Sequence, residues 1–178
     1  MITPTEAQHT YTLGEPMLVA DAVLDLAGRH PEQFDMGEWQ YQLEGLSDID
    51  GNQNDSCGTA ACIAGWVGIL HNDQQEDIMR LRAILYNMDT NNMMDKWEMR
   101  QARRLGLDHI AGNLLFHIDN NDVALNVLTS VSKWHTHNTG LIDENEMVSM
   151  MADNSKQTEA EVRAMAEHRS MMVLSDVG

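Results

Sequence analysis

Cysteine, aromatic residues and basic residues are scarce in this sequence of 178 residues, and their scarcity excludes several classes of protein. Two cysteines are too few for the disulfide framework of a small secreted domain. The longest apolar run, Ala60 to Leu70, is far shorter than the ~20 residues that cross a bilayer. The stretch from Met1 to Gly14 has neither the cationic start nor the apolar centre of a signal peptide. We therefore expect a cytoplasmic protein without disulfides.

Aromatic residues make up only 5% of the chain, whereas methionine occurs 14 times. The hydrophobic content of 43% is enough for a core in a chain of this length. Much of that core must come from flexible thioethers and small aliphatic side chains, which adapt their shape more readily than rings. We expect a single domain over residues 1–178.

Lysine and arginine total only 11 against 28 aspartates and glutamates, so the formal net charge is −17. The imbalance is concentrated before residue 78, where 14 acidic residues accompany one basic residue, Arg29. A negative field repels phosphate, so we expect no direct binding to nucleic acid or to a membrane surface. The same field attracts cations, which favours a partner protein with a basic surface. The alternative is that the charge serves solubility alone.

A recurrent pattern predicts helix starts: a capping residue followed three positions later by Glu. The two residues satisfy each other's backbone N–H groups, which would otherwise lack partners in the first turn. No segment alternates polar and apolar residues as a strand does. We therefore predict an all-α fold, a compact bundle of about seven to nine short helices. The pattern occurs at Asp35 with Glu38, Asp73 with Glu76, Asp95 with Glu98, Asp143 with Glu146, and Thr158 with Glu161.

Other helices are predicted from proline positions, capping residues and apolar spacing. Pro16 suits a first helical turn and Pro31 disfavours helical geometry in the residue before it, so a helix should run from Pro16 to His30. Leu18, Ala22 and Leu26 would share its buried face. Further helices should run from Ser56 or Thr59 to Leu70, from Asp108 to about His117, and from Asn121 or Asp122 to Trp134, with loops at 47–55 and 135–141.

The sequence contains three distinctive phrases: CGTAACIAGW at Cys57–Trp66, HPEQFDMGEW at His30–Trp39 and RRLGLDHIAGNLLF at Arg103–Phe116. Together they resemble a group of small proteins, encoded by bacteriophages and some bacteria, that has no established activity. The resemblance covers about residues 17–128, with an extra stretch near 73–96, and leaves 143–174 as a helical C-terminal extension. It implies a compact helical unit, a phage setting in the host cytoplasm, and a host-takeover or anti-defence role. It carries over no catalytic residue.

The two cysteines allow a cysteine-dependent hydrolase as an alternative function. A helix N-terminus stabilises a thiolate, so Cys57 would be the nucleophile, with His109, His117 or His135 as its base. The sequence around Cys57 resembles that of papain-like enzymes, but no matched His and Asn or Asp motif follows it. We interpret Cys62 as a small core residue, because free cysteine is commonly buried. A binding protein is therefore favoured over an enzyme.

Two metal sites can be drawn from the sequence, and both depart from the usual patterns. A zinc site would combine Cys57 and Cys62 with His135 and His137, which lack the paired spacing of known zinc modules. A calcium loop would have Asn92 where the sharp turn favours Gly, and Asn where the first ligand is usually Asp. We expect no cofactor, with calcium as the alternative. The calcium ligands would be Asn87, Asp89, Asn91, Met93, Asp95 and Glu98.

Basic residues cluster in the second half of the chain and form the last candidate site. If they line a pocket, the chain would sequester a small anionic ligand such as a signalling nucleotide. We favour instead an acidic interaction protein that binds and modulates a host or phage protein, steered by Asp48, Asp50 and Asp55. A partner held by apolar contacts would lie near Met147, Met150, Met151, Met171 and Met172. The basic cluster consists of Arg80, Arg82, Lys96, Arg100, Arg103 and Arg104.

Overall fold

A computed structural model describes residues 2–36, 62–72, 91–165 and 167 of the chain. Over these ranges the backbone forms seven α-helices and a short 3-10 helix, Pro31–Gln33, and no β-strand. Helical backbone resumes at 159–165. The prediction of an all-α fold is confirmed. The helices are α1 (Pro4–Thr10), α2 (Pro16–Arg29), α3 (Ile63–Leu70), α4 (Asn91–Arg104), α5 (His109–Phe116), α6 (Asn121–His137) and α7 (Glu144–Asn154).

Reciprocal capping bonds start several of these helices. The Asp143 carboxylate accepts from the Glu146 amide at 3.0 Å, and the Glu146 carboxylate accepts from the Asp143 amide at 3.2 Å. Thr158 and Glu161 exchange the same two bonds at the start of the C-terminal helical segment. Both predicted starts are confirmed. Thr3 and Glu6 form a further box at α1, which was not predicted although the two residues fit the same pattern.

Several predicted boundaries are wrong or untested. Asp95 lies inside α4 and is not its cap, because the helix already includes Asn91. Asn120, one residue before the predicted caps, accepts from the Val123 amide at 3.0 Å and begins α6. Helix α6 then extends to His137, so the predicted loop at 135–141 starts later than expected. The pairs involving Glu38 and Glu76, the predicted caps Ser56 and Thr59 and the predicted loop at 47–55 lie outside the described residues.

Helix α2 runs from Pro16 to Arg29, close to the predicted bounds, and two of the three residues predicted for its buried face, Ala22 and Leu26, are buried. Val19, Val23 and Leu26 point into the core, whereas Leu18 is 37% exposed. Residues at i, i+4 and i+7 share a side of a helix, so Val19, Val23 and Leu26 mark the side of α2 that faces the core. Leu18, one position earlier, falls at the margin of that stripe.

Helix α3 is the centre of the molecule. All of its residues, Ile63–Leu70, are buried, and a helix that is apolar all round belongs in a protein interior. Helices α1, α2 and α4 contact it. The Trp66 indole N–H donates to the Gln33 carbonyl oxygen at 3.1 Å, so this large ring is packed and hydrogen-bonded at once. Apolar residues from Ala7 to Val162 join the same hydrophobic cluster.

Two side-chain amides attach extended segments to this core. Gln33 accepts from the Ile2 amide at 2.8 Å and donates to the Ile2 carbonyl at 3.2 Å. Asn121 accepts from the Met36 amide at 2.9 Å and donates to the Phe34 carbonyl at 3.3 Å. Each amide therefore satisfies two backbone groups that have left helical structure, as buried polar groups require.

Helices α5, α6 and α7 follow one another with short connections and contact one another. The end of α5, the start of α6 and the end of α7 meet on one side of the molecule. No helix in the described ranges is long and apolar enough to cross a membrane.

Candidate functional site

Many of the predicted site residues lie outside the described part of the chain, so their predictions stay untested. The described candidates are the histidines, the arginines of α4, part of the proposed calcium loop and Cys62. Those outside the described ranges are Asp48, Asp50, Asp55, Cys57, Arg80, Arg82, Asn87 and Asp89, together with Met171 and Met172.

Cys62 occupies the capping position of α3 and is completely buried. Burial raises the pKa of its thiol, because the charged thiolate would lose its hydration. The backbone amides of Gly65 and Ala64 act in the opposite direction, and the Glu98 carboxylate adds to the rise. A buried, protonated thiol is a poor nucleophile. The interpretation of Cys62 as a core residue is confirmed.

His117 and Glu98 form an imidazole–carboxylate pair between the end of α5 and the middle of α4. The His117 Nε2 and the Glu98 Oε2 are 3.9 Å apart, and the two side chains are 34% and 11% exposed. This separation is longer than a hydrogen bond, so the two groups are near neighbours rather than directly bonded through these atoms. Glu98 therefore lies beside His117 and is also close enough to Cys62 to raise the pKa of its thiol.

His135, another predicted base, has a structural role. Its Nε2 lies 3.0 Å from the Leu105 carbonyl oxygen, which can only accept, so this nitrogen carries the proton. Its ring also lies where a side chain on Gly106 would project, and Gly106 has a φ of +66°. Glycine is required there by both the backbone conformation and the lack of space. His135 thus holds the α4–α5 turn under α6.

The arginines of the basic cluster lie at the end of α4. Arg103 is exposed and Arg104 is half-buried, with its guanidinium donating to the Gln101 side-chain oxygen at 2.8 Å. Cations are favoured in the last turn of a helix by the helix dipole, which accounts for this placement without a ligand. Arg100 is exposed one turn earlier. Arg80 and Arg82, the other predicted arginines of the cluster, lie outside the described residues.

The second half of the proposed calcium loop is helical. Asn91, Met93, Asp95 and Glu98 lie on α4, Asn91–Arg104. A calcium loop needs a turn that brings alternate residues round one ion, which a regular helical backbone does not provide. The prediction of a loop is therefore wrong at Asn91 and Met93, whereas Asp95 and Glu98 were predicted to belong to the exiting helix of such a loop. Within the described residues no group of three or more His, Cys, Asp or Glu side chains is placed to hold a metal ion.

A half-open groove of about 640 Å³ lies where α5, α6 and α7 meet. We call it the α5–α7 groove. Its floor is apolar and its edges carry the carboxylates of Asp119 and Asp153, the ammonium of Lys156 and the imidazole of His117. No local pattern predicts this groove, because its walls come from separate segments. The apolar residues that line it are Leu114, Ile118, Val123, Met151 and Met165.

Two of the methionines predicted to surround an apolar partner surface do not offer one. Met147 is fully buried and Met150 packs partly buried against the core, because the face of α7 that carries them turns inward. Met151 lines the groove and is 7% exposed. Met165, which was not predicted, also lines the groove and is 38% exposed.

We call the exposed carboxylates of the described N-terminal range, 2–36, its anionic face. Arg29 is its single lysine or arginine, and this guanidinium lies 3.1 Å from the Asp25 carboxylate. Tyr11 also donates to Asp25 at 2.6 Å, and these two hydrogen bonds hold the pKa of Asp25 below its usual value. The charge of Arg29 is thus compensated locally. The exposed carboxylates of residues 2–36 are Glu6, Glu15, Asp21, Asp25 and Glu32.

The chain matches no protein-family model, no curated protein and no solved structure.

Proposed function

We propose that this protein is an acidic interaction protein that binds and modulates a partner protein with a basic surface. The observation that carries the proposal is the anionic face of residues 2–36. Five exposed carboxylates there accompany one arginine, and that arginine is paired with Asp25. An excess of exposed negative charge raises the rate at which a cationic surface is encountered.

The biological setting of the proposal is a bacteriophage protein acting in the cytoplasm of its host. This part rests on the resemblance of the three sequence phrases to small phage and bacterial proteins. In that setting, occupying a host or phage protein would serve host takeover or escape from host defence. A net charge of −17 disfavours nucleic acid as the direct target, because phosphate is repelled.

The test begins with affinity capture from bacterial lysate and identification of the captured protein by mass spectrometry. Association and dissociation rate constants for the purified pair are then measured between ~0.05 and ~0.5 M salt. We expect the association rate constant to fall by about tenfold or more across this range, since steering is screened by ions. A rate that does not respond to salt contradicts the proposal.

Matched variants locate the effect on the anionic face. Glu15 has no side-chain capping bond and Glu32 is exposed, so Glu15→Gln with Glu32→Gln removes two charges from this face. Glu144→Gln with Glu159→Gln removes the same charge elsewhere. We expect the first pair to slow association more than the second, because steering depends on where the charge lies. Equal effects would mean that only net charge matters.

A cysteine-dependent hydrolase is the second candidate function. The observation that favours it is the Glu98 carboxylate behind His117, since a general base is commonly oriented by a carboxylate. His117 also lines the α5–α7 groove, where a substrate would have access to it. In this alternative Cys57 is the nucleophile and His117 its base.

A further inference from the structure

We propose that the α5–α7 groove is the docking site for an aliphatic side chain of the partner that is flanked by lysine or arginine. This inference rests on the proposed function and adds to it where on the surface the partner is held and what chemistry is recognised. The occupant to which it commits is a cationic, amphipathic segment of a partner protein.

The floor of the groove suits an aliphatic anchor. Leu114, Ile118 and Met151 lie beneath it, each less than a tenth exposed, and Met165 stands at the open side. Removing apolar surface from water is favourable on both partners. Thioethers adapt to more than one aliphatic shape, so two methionines allow the groove to close round an anchor that is not a rigid match.

The size of the groove fits more than one side chain. Its volume of about 640 Å³ lies within the usual range of sites for small ligands, ~300–1,000 Å³. A groove that is half open accepts side chains that project from a longer segment. A helical segment presents such side chains at i, i+3 and i+4 spacing and leaves its remaining positions free to carry charge.

The edges of the groove favour cations on either side of the anchor. Asp119 precedes α6 and Asp153 lies in the last turn of α7, and both are exposed. Lys156 is the one lysine or arginine among the lining residues of the described chain. A cationic segment therefore meets two carboxylates against one ammonium group, whereas for an anionic segment the like charges outnumber the opposite one, which is unfavourable.

The helix ends that border the groove add to the same preference. Helices α5 and α7 both end there, and neither carries a basic residue in its last turn. Their terminal carbonyls contribute partial negative charge that no basic side chain of the last turn offsets. The N-terminus of α6 has the opposite sign, but Asn120 caps it and Asp122 lies in its first turn. The balance of groups around the groove is negative.

The test uses the full chain labelled with ¹³C at the methionine methyl groups and observed by NMR. The probe is a synthetic amphipathic helix of leucine and lysine, and its counterpart has every lysine replaced by glutamate. We expect the lysine peptide to shift the Met151 and Met165 methyl signals and to leave Met147, which is fully buried, unchanged. The glutamate peptide should shift neither. No shift with either peptide, or equal shifts with both, overturns the inference.

Two variants make the result specific to the groove. Met165→Lys places a cation at its open side, and Leu141→Lys places the same cation at another exposed apolar residue. We expect Met165→Lys to abolish the shift of Met151 and Leu141→Lys to retain it. Asp119→Asn combined with Asp153→Asn should lower the affinity for the lysine peptide by roughly three- to tenfold, as expected for the loss of two exposed ion pairs. Unchanged affinity in that double variant overturns the proposed charge recognition.

The captured partner separates this inference from the proposed function. If its association depends on salt while Met151 and Met165 do not shift, the partner docks elsewhere and the inference about the groove fails alone. If the Met151 and Met165 methyl signals shift but the association rate constant does not depend on salt, the inference about the groove is supported and the proposed electrostatic engagement fails.

Discussion

Gly112 of α5 lies directly against Ala102 of α4, so closely that a β-carbon on Gly112 would overlap the β-carbon of Ala102. Ala102 is buried, and the overlap also reaches its α-carbon region, so the neighbour has no room to move. The approach of these two helices brings Glu98 of α4 opposite His117 at the end of α5. The close contact of Gly112 with Ala102 thereby helps to place Glu98 beside His117, which lines the groove.

We predict that Gly112→Ala lowers the free energy of unfolding by about 1–3 kcal/mol, because overpacking forces α4 and α5 apart. Gly28→Ala is the matched control, since it also adds a methyl group to a helix but meets nothing within 4 Å. The control should be stabilising by about 0.4–1 kcal/mol, as it restricts the unfolded chain. Chemical denaturation measures both. An unaffected Gly112→Ala would mean that the two helices separate easily.

We predict that Cys62→Ser and Cys57→Ser differ in kind. Cys62 is completely buried, so replacing its apolar thiol by a hydroxyl should destabilise the fold by about 1–3 kcal/mol, even though the Gly65 and Ala64 amides can donate to that hydroxyl at the capping position. Cys57→Ser should be nearly neutral for stability. Thermal melting measures the difference. Loss of biological effect in Cys57→Ser at unchanged melting temperature would favour the cysteine-dependent hydrolase over the interaction protein.

We predict that neutralising Asp48, Asp50 and Asp55 together slows association with the partner more than it accelerates dissociation. Loop charges at the rim of an interface act mainly during encounter, over the ~8 Å range of electrostatic screening at physiological salt. Both rate constants can be measured by surface plasmon resonance for Asp→Asn variants. An effect confined to dissociation would place these residues inside the interface. No effect on either rate would assign the charge at these positions to solubility.

We predict that the capping boxes of Thr3 with Glu6 and of Thr158 with Glu161 contribute stability that disappears in acid. Hydrogen bonds from Thr3 hold the pKa of Glu6 below its usual value, and those from Thr158 do the same for Glu161. A lowered folded-state pKa means that the contribution is complete above the unfolded value and is lost as pH falls through the folded value. The window lies below about pH 4.5.

The measurement compares the parent protein with Glu6→Gln and Glu161→Gln combined, because glutamine resembles the protonated carboxyl. The difference in unfolding free energy should be largest near pH ~6 and should shrink towards pH ~3. Glu144→Gln with Glu159→Gln removes the same charge from two first-turn carboxylates that are not the bonding partners of a box, and it serves as the control. A difference that is constant with pH would show that the carboxylates of the boxes do not act through their charge.

Helix starts could be predicted from the sequence because their causes are local. The capping bonds of Asp143 with Glu146 and of Thr158 with Glu161 close within four residues, so neighbouring residues are sufficient to determine them. The cap Asp108 was readable for the same reason. Thr3 with Glu6 carried the same signal and could have been found by it.

Other features depended on tertiary packing. Asp95 and Glu98 satisfy the capping pattern, yet α4 includes both residues, and Glu98 turns towards His117 on another helix. Leu18 fits a helical stripe with Ala22 and Leu26, yet the packing of α2 against α6 and α3 buries those two residues and leaves Leu18 37% exposed. Which residues become buried depends on the total apolar area that the whole fold removes from water, and this area cannot be read from one segment alone.

The amino-acid sequence by itself determined the helical class, several helix boundaries, the negative charge and the burial preference of Cys62. Only the tertiary structure decided where α5, α6 and α7 meet, and therefore that Met151 and Met165 line one groove beside Asp119 and Asp153. The physical reason is range. Capping and composition act between near neighbours in the chain, whereas a groove exists only after segments distant in sequence have packed together.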